Sequence, residues 1–377
     1  MTEDQYEPRE VEQSIGYRMG RGCPLRGDVD DSVVPCFRAR GSRGPAERWG
    51  GGGGKAPPDY GLEWCTVGDP GNRATLPHEV PGVPPPFPTE YGAVAYTYRM
   101  TRTEITAGQW LEFVEAYGPF NKGDLNDNAF TGPYIDHIGG GFVLFGDPNR
   151  PTMMSFEFAA RFANWMHNDK ALTAEAFESG AYDTSTFYVD DRGVYHHQAQ
   201  RSPGAKFWIP SLDEWTKAAH WDPEADRYWY HQGGQDEPLI SGPPGVGQTN
   251  AGIPGGPDLV GQYPSVMSPW GLLDTSGGVR ELTETVPVWM GFENEVRVTR
   301  ASTRLGGIAI DRLDSFGLTG VEIGLLSGLR LASAVPVPST AFVLVGVAAP
   351  FTRRRRRSCG THSGWPLYSA PFSPQRS

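Results

Sequence analysis

Two carboxylates, Asp274 and Glu281, flank a turn with the residue types of a metal site, in the stretch GLLDTSGGVRELTE that begins at Gly271. The two adjacent glycines permit backbone angles that other residues resist, and an aspartate side chain can bond to the amides of a turn. The turn therefore predicts that both carboxylates and the carbonyls between them come close together, as an oxygen-rich pocket for a hard cation. The residues also leave open an ordinary aspartate-stabilised turn with solvated acids.

The four cysteines do not form a metal-ligand pattern. They stand at positions 23, 36, 65 and 359, with no CxxC pair and no spacing typical of zinc ligands. Cys23 and Cys36 would form a disulfide only in an ordered, exported segment, and otherwise they are incidental thiols in a flexible stretch.

The composition indicates a folded, loop-rich protein that does not bind nucleic acid. The chain of 377 residues contains 49 glycines and 34 prolines, and its hydrophobic share of 38% is sufficient for a core. A formal charge of −11 argues against phosphate contacts, because these need a basic face. No stretch reaches ~18 consecutive apolar residues, and the N-terminus lacks the apolar segment of a secretion signal. We therefore expect neither an ordinary membrane span nor an export peptide.

Local patterns predict three capped helices. Thr106, Ser155 and Ser211 are the N-caps, and each precedes apolar residues at helical spacing. Glu214, three residues after Ser211, completes a capping box.

Other stretches predict a strand and two long connections. Alternating apolar residues from Tyr91 to Met100 are typical of a strand with one buried face. The Gly/Pro-rich stretches 118–150 and 221–270 are predicted to be long loops, which in compact domains are usually functional or packed by their own aromatic residues.

Five segments stand in order between about Gly61 and Ser333. They are YRMTRTEITAGQWLEFVEA, RPTMMSFEFAARFANWMH, IPSLDEWTKAAH, GLLDTSGGVREL, and RLGG at Arg304 together with GLR ending at Arg330. In this order they resemble segments of the formylglycine-generating enzyme, or sulfatase-modifying factor, family. GLLDTSGGVREL is similar to that family's GLYDMxGNVWEW motif, and RLGG and GLR are similar to its closing RGGSW and GFR. The resemblance implies an α+β fold that is rich in loops and related to C-type-lectin-like domains.

The chain differs from the family at the copper site that other members use to oxidise a substrate cysteine. Family members that oxidise a substrate cysteine carry two copper-binding cysteines between the RGGSW and GFR motifs, whereas Ile308 to Ser327 contains none. Copper(I) requires soft thiolate ligands, so no copper site is expected. The GNVWEW motif also differs, with Gly278 in place of asparagine and with Arg280 and Leu282 in place of tryptophans.

The family's second calcium site carries over onto residues of the turn. The resemblance places its ligands at Asp274, Glu281 and the carbonyls of Gly277 and Val279, and carboxylates and carbonyls suit calcium. We therefore expect structural calcium at these four residues.

Two further sets of side chains are weaker candidates for metal ligands. Asn250 and Asp258 are candidates for another calcium site, although the register with the family is loose there. Relatives that use iron bind it through histidines, but the eight histidines include no HxxxH or HxxE group. His196 and His197 are predicted to be a surface pair on a loop.

The sequence after Ser333, AVPVPSTAFVLVGVAAPFTRRRRRS, resembles the PEP-CTERM sorting signal of exported bacterial proteins. In such signals an apolar run holds the chain in the membrane and the arginines stay cytoplasmic. Val337 stands where glutamate is usual, and further residues follow the arginines. The alternative is a loose hydrophobic tail with a solvated basic end.

The sequence predicts four segments, and the resemblance of the tail to a sorting signal implies an exported protein, although the N-terminus shows no export peptide. The expected location is the periplasm or the cell surface, with transient membrane anchoring through the tail. The predicted segments are a disordered Gly-rich extension (1–60), the formylglycine-generating-enzyme-like domain (61–333), a sorting tail (334–357) and a disordered tail (358–377).

The favoured function is that of a binding or structural domain without cysteine-oxidase activity, whose ligand is an unidentified protein or glycan. The missing cysteine pair is the feature that favours it. The alternative is a formylglycine-generating-type oxidoreductase that acts on a protein cysteine or another substrate, through residues that the sequence does not identify.

Overall fold

The computed structural model describes residues 57–335 apart from 255–258, 292–294 and 325–326. Within this part, short helices and strands are joined by irregular connections. The α-helices are α1 (Ala107–Tyr117), α2 (Asn128–Thr131), α3 (Phe156–His167), α4 (Ala174–Glu178) and α5 (Leu212–His220). Short 3-10 helices span Thr184–Thr186, Val288–Met290 and Ile308–Asp311.

The strands are short and pair antiparallel. They are β1 (Trp64–Val67), β2 (Tyr98–Thr101), β3 (Ile135–Ile138), β4 (Gly141–Leu144), β5 (Tyr188–Val189), β6 (Tyr195–His196), β7 (Phe207–Trp208), β8 (Trp221–Asp222), β9 (Arg227–Tyr228), β10 (Glu281–Leu282), β11 (Val296–Arg300), β12 (Gly317–Gly320) and β13 (Ala332–Ala334). One sheet has the order β1-β2-β13-β7 and another the order β10-β11-β12, while β3-β4, β5-β6 and β8-β9 form two-stranded pairs.

The four-stranded sheet joins the two ends of the described chain. Met100 of β2 lies opposite Cys65 of β1 on one side and opposite Ala332 of β13 on the other. The last strand therefore lies between β2 and β7, and the residues just before β13 are brought beside the start of α1.

All three predicted helix caps are confirmed. The side chains of Thr106, Ser155 and Ser211 accept hydrogen bonds from the third amide of α1, α3 and α5 at 3.3, 3.5 and 3.2 Å. The Ser211 amide in turn donates to the Glu214 carboxylate at 2.8 Å, which completes the predicted capping box.

The main core is built from aromatic side chains of α1 and α3. The ring centres of Trp110 and Phe162 are 5.3 Å apart, and those of Phe113 and Trp165 are 6.0 Å apart. All four side chains are buried, and burial of an apolar side chain contributes about 1.5–3 kcal/mol. This packing fixes the two helices on which the site rests.

The predicted strand from Tyr91 to Met100 is wrong for residues 91–97, since the strand formed here is Tyr98–Thr101. The amides of Tyr91, Gly92 and Val94 instead donate to the side chains of Thr75, Asp213 and Asn72. Side chains from distant parts of the chain thus satisfy these amides in place of a neighbouring strand.

The stretch 118–150 is less irregular than its composition predicts, because α2 and the β3-β4 pair lie within it. The α+β, loop-rich fold class is nevertheless confirmed. The predicted extensions, 1–60 and 334–377, lie almost entirely outside the described residues, and the domain boundaries remain predictions. No helix of the described residues has the length and apolar character needed to cross a membrane.

A buried guanidinium, that of Arg330, ties together the elements around the turn. Its Nε donates to both oxygens of Glu281, at 2.8 and 2.9 Å. Its terminal nitrogens donate to the carbonyls of Thr101 and Arg102, at 3.2 and 2.7 Å, and of Leu273, at 2.6 Å. One side chain therefore links the end of β2, the start of the turn and β10.

The variant Arg330→Met is expected to lower the free energy of unfolding by about 3–5 kcal/mol, because it leaves the buried Glu281 carboxylate without a counter-charge. Urea unfolding followed by tryptophan fluorescence measures this change. The matched control is Arg227→Met, since the Arg227–Asp236 pair is largely exposed and should contribute little. Equal effects of the two variants would contradict the role assigned to Arg330.

Candidate metal site

The glycine turn is held in the left-handed backbone region. Asp274, Gly277 and Gly278 have φ angles of 55°, 86° and 55°. A Cβ at Gly277 would collide with the side-chain oxygen of Asn250, and a Cβ at Gly278 would collide with Glu104 Oε1. Glycine is therefore needed at both positions for two reasons: the positive φ angle, and the close approach of the Asn250 and Glu104 side chains.

The two predicted carboxylates lie at the ends of this turn and have different partners. Glu281 accepts from Arg330 Nε through both oxygens, and its Oε2 also accepts from Trp215 Nε1 at 2.6 Å. Asp274 Oδ2 accepts the Gly261 amide at 2.5 Å, whereas its other oxygen accepts no hydrogen bond from the described residues. Both oxygens of Glu281 thus accept hydrogen bonds from the protein, whereas Asp274 has one oxygen without such a bond from the described residues.

The two predicted carbonyl ligands also lie on the turn. Neither the Gly277 nor the Val279 carbonyl accepts a hydrogen bond from the described residues, while the Gly277 amide donates to Ser302 Oγ at 2.9 Å. These carbonyls are therefore not committed to other partners in this part of the chain. The four-residue calcium site remains a prediction.

A third carboxylate, Glu104, lies beside the turn, and sequence reasoning gave it no role at the site. It stands between β2 and α1 and is only 1% exposed. Its Oε1 is 3.4 Å from the Val279 amide nitrogen, while its Oε2 has no hydrogen-bond partner among the described residues and lies 3.9 Å from Arg330 Nη2. An ionised carboxylate in such a place is costly unless it is paired.

Glu104 and Asp274 both line one small cavity of about 10 Å³. That volume holds about one water-sized sphere, so it suits an ion or a water molecule rather than an organic ligand. Asn250, a predicted candidate, lies in the wall, and Asp258 lies outside the described residues. The remaining lining residues are Pro151, Leu259, Val260, Tyr263, Ser276 and Gly278.

The carboxylates around this cavity carry more negative charge than the structure neutralises. Burial, and then the neighbouring Asp274, raise the pKa of Glu104 well above its usual range, although Arg330 opposes the shift. Burial also raises the pKa of Asp274 and of Glu281. Three carboxylates thus share the buried guanidinium of Arg330, with a smaller contribution from Arg102 at Asp274, so a bound proton or a cation would balance the remaining negative charge.

The polar side chains that line the cavity are oxygen donors. Within the described residues, no group of three or more histidine, cysteine, aspartate or glutamate side chains is arranged to hold a metal ion of any kind. Two carboxylates in a wall of amide, hydroxyl and carbonyl oxygens match the ligands of calcium, not those of zinc or copper.

The prediction of a surface histidine pair is wrong for His197. Its side chain is buried, its Nε2 lies 2.7 Å from Glu157 Oε1, and its ring centre is 4.5 Å from that of Phe187. His196 is on β6, with its Nε2 3.2 Å from Asp190 Oδ2. The two rings have separate partners and do not form a metal site together.

Asp311, in the stretch 308–327 that contains no cysteine, connects this stretch to the turn by hydrogen bonds. Asp311 is buried, and it accepts hydrogen bonds from Ser276 Oγ and from the Ser302 amide. Burial raises the pKa of Asp311 to about 6. An oxygen-rich contact therefore connects this stretch to the turn.

The variant Glu104→Gln is expected to weaken the pH dependence of stability. Because the native pKa of Glu104 is raised above 4.5, the native protein holds a proton that the unfolded chain releases, and stability falls as the pH rises above about 4.5. Glutamine has no proton to release, so in a chelating buffer at pH 8 the variant should be more stable than the wild type. The gain is on the order of 1.4 kcal/mol for each pKa unit of the shift.

Urea unfolding at pH 5 and pH 8 in EDTA measures this difference. The control is Glu112→Gln, at an exposed glutamate that pairs with Lys170 on the surface. If the Glu104→Gln variant has the same pH dependence of stability as the wild type, the native pKa of Glu104 is not raised and the prediction is wrong.

Comparison with known proteins assigns the chain to a family. Similar solved structures include CarF (17% identity, 73% of this chain and 98% of that chain, TM-score 0.44) and variable protein 1 of Treponema denticola (16%, 72% and 94%, 0.42). PvdO from Pseudomonas aeruginosa is also similar (14%, 73% and 93%, 0.32). No curated protein matches the chain. The model of one family, described as a sulfatase-modifying factor enzyme 1-like domain, matches residues 85–303, and the chain therefore belongs to this family.

Proposed function

We propose that this chain is a non-oxidase member of the family, a binding or structural domain that is stabilised by calcium and belongs to an exported bacterial protein. The observation that carries the proposal is the chemistry of the site. The carboxylates of Glu104, which is buried, and Asp274 line its cavity, and the stretch where relatives that oxidise cysteine carry their copper ligands has no thiol. Export to the periplasm or cell surface rests on the resemblance of the tail to a sorting signal.

The sulfur ligands of a copper oxidase cannot be assembled from the described residues. These contain one cysteine, Cys65, which is free and partly buried in β1. Burial raises the pKa of its thiol and so disfavours the thiolate, although Arg102 and Arg330 oppose the shift. Copper(I) favours soft thiolate ligands, and a single protonated thiol does not supply them.

Calcium fits the imbalance of charge around the cavity. Glu104 and Asp274 would hold the ion with their uncommitted oxygens, and the carbonyls of Gly277 and Val279 are the further ligands that the family implies. Glu281 would contribute less directly, because its carboxylate already binds Arg330 and Trp215. The bound ion would supply the positive charge that this buried cluster lacks.

The ligand would be a protein or a glycan, and exposed aliphatic side chains on the loops beside the turn support the first of these. Ile240, Val246 and Leu305 are 65%, 79% and 71% exposed.

Calcium is expected to raise the melting temperature in a saturable way. A ligand that binds only the native state stabilises it by about 2.7 kcal/mol at 100 times its dissociation constant. Differential scanning calorimetry at pH 7.5 in EGTA and in rising calcium measures the effect. Asp274→Asn should remove most of it, whereas Asp136→Asn, at an exposed position in β3, should retain it. A wild-type protein that does not respond to calcium would contradict the calcium part of the proposal.

The alternative, a formylglycine-generating-type oxidoreductase, is tested separately. The protein is loaded with copper(I) and incubated with a cysteine-containing peptide in an oxygen electrode. We expect the uptake to equal that of peptide and copper without protein, because the thiolate pair is missing. Protein-dependent oxygen uptake, with an aldehyde found in the peptide by mass spectrometry, would establish the oxidoreductase and overturn the non-oxidase proposal.

A further inference from the structure

The outer face of the β3-β4 pair is apolar although it is open to solvent. Ile138, Val143 and Phe145 are 54%, 41% and 42% exposed. The opposite face already packs against the core through Ile135, which is buried, and Phe142, which is partly buried. The solvated face of an antiparallel pair is normally polar, because side chains alternate between the two faces. The core therefore does not use these three side chains, and such an exposed apolar surface is typical of a binding site.

The strand register places the three side chains next to one another. Val143 lies opposite Asp136, so Ile138, two residues further along β3, is its diagonal neighbour on the same face. The Phe145 amide donates to the Tyr134 carbonyl at 2.8 Å, which continues the pairing beyond β4. An apolar row therefore runs from Phe145 through Val143 to Ile138.

The surroundings of this apolar row are open and acidic. A Cβ at Gly139 or Gly140, in the turn of the pair, would have no described atom within 4 Å apart from its chain neighbours. The sequence from 118 to 149 contains one lysine, at 122, and four aspartates, at 124, 127, 136 and 147. We therefore expect a partner with apolar side chains and positive charge, whereas these aspartates would repel the anionic headgroups of a membrane.

The acidic segment before β3 lies alongside that strand. The His137 amide donates to Asn126 Oδ1 at 2.6 Å, which holds the exposed side chains of Asp124 and Asp127 near the apolar row. Neither these two aspartates nor Asp136 forms an ion pair with a lysine or arginine of the described residues. Their charges are therefore available to a basic partner.

A segment of complementary composition follows the described domain. Residues 341–357 begin with an apolar run, AFVLVGVAAPF, and end with five arginines, and they contain no acidic residue. The segment lies outside the described residues, and five residues separate it from residue 335, the last one described.

We propose that the outer face of the β3-β4 pair binds residues 341–357 of the same chain. The apolar run packs on Phe145, Val143 and Ile138, and the arginines lie near the aspartates at 124, 127 and 136. Apolar contact supplies most of the affinity, and the charges select a basic segment over an acidic one. The contact covers the apolar run of the tail, and it does not depend on the calcium site.

The connection is long enough for an intramolecular contact. The ten residues from 336 to 345 span about 33–36 Å when extended. By comparison, a compact domain of about 280 residues has a radius of gyration of about 19 Å. The short tether also gives the tail a high effective concentration, which favours the tail of the same chain over that of another molecule.

The test is photo-cross-linking in the full chain, with p-benzoylphenylalanine placed at Phe145 and the products identified by mass spectrometry. The same probe at Tyr188, an exposed aromatic residue in β5, is the positional control. Asp136→Lys tests the charges, and Glu224→Lys makes the same change of charge at an exposed position between β8 and β9. Both acids are exposed, so neither substitution should change the melting temperature, which is recorded as a check of folding.

We expect the probe at position 145 to link to residues 341–352, in a product with the mass of a monomer and with a yield that does not depend on protein concentration. We expect Asp136→Lys to lower this yield several-fold and Glu224→Lys to leave it unchanged. A product with the mass of a dimer would assign the surface to a second copy and overturn the proposal. No link to the tail, the same link from position 188, or equal yields in the two lysine variants would also overturn it.

Discussion

The buried guanidinium of Arg330 is the constraint on which the rest of the site depends. It reaches the site because β13 pairs with β2, which places the residues before β13 against the end of that strand. From there it bonds to carbonyls of two separate segments and to the Glu281 carboxylate. The turn is therefore fixed at both of its ends by a group that is distant in sequence.

Arg330 positions the site, but it does not neutralise it. Its Nε donates to Glu281. The negative charges of Glu104 and Asp274, which line the cavity, are therefore only partly compensated by Arg330. Gly278 contributes to this arrangement, because a side chain at that position would occupy the space of Glu104 Oε1. The replacement of asparagine by glycine in the family motif thus has a structural consequence, namely that a carboxylate lies closely against the turn.

The features that the sequence predicts correctly are local ones. The caps at Thr106, Ser155 and Ser211 follow from neighbouring residues, so four-residue patterns were enough to place three helices. The sequence does not indicate that Glu104 lies beside the turn, because 170 residues separate it from Asp274 and no periodicity connects them. The strand from Tyr91 was predicted too long, because its amides bond to side chains that are remote in sequence. Which carboxylates meet, and which remain unpaired, is a tertiary property.

The most direct test of this account is a crystal structure of the protein grown with calcium, measured at a wavelength at which calcium scatters anomalously. The account predicts one anomalous peak in the cavity, within about 2.3–2.6 Å of oxygens of both Glu104 and Asp274. A cavity that holds only water, or a peak bound by neither carboxylate, would contradict it.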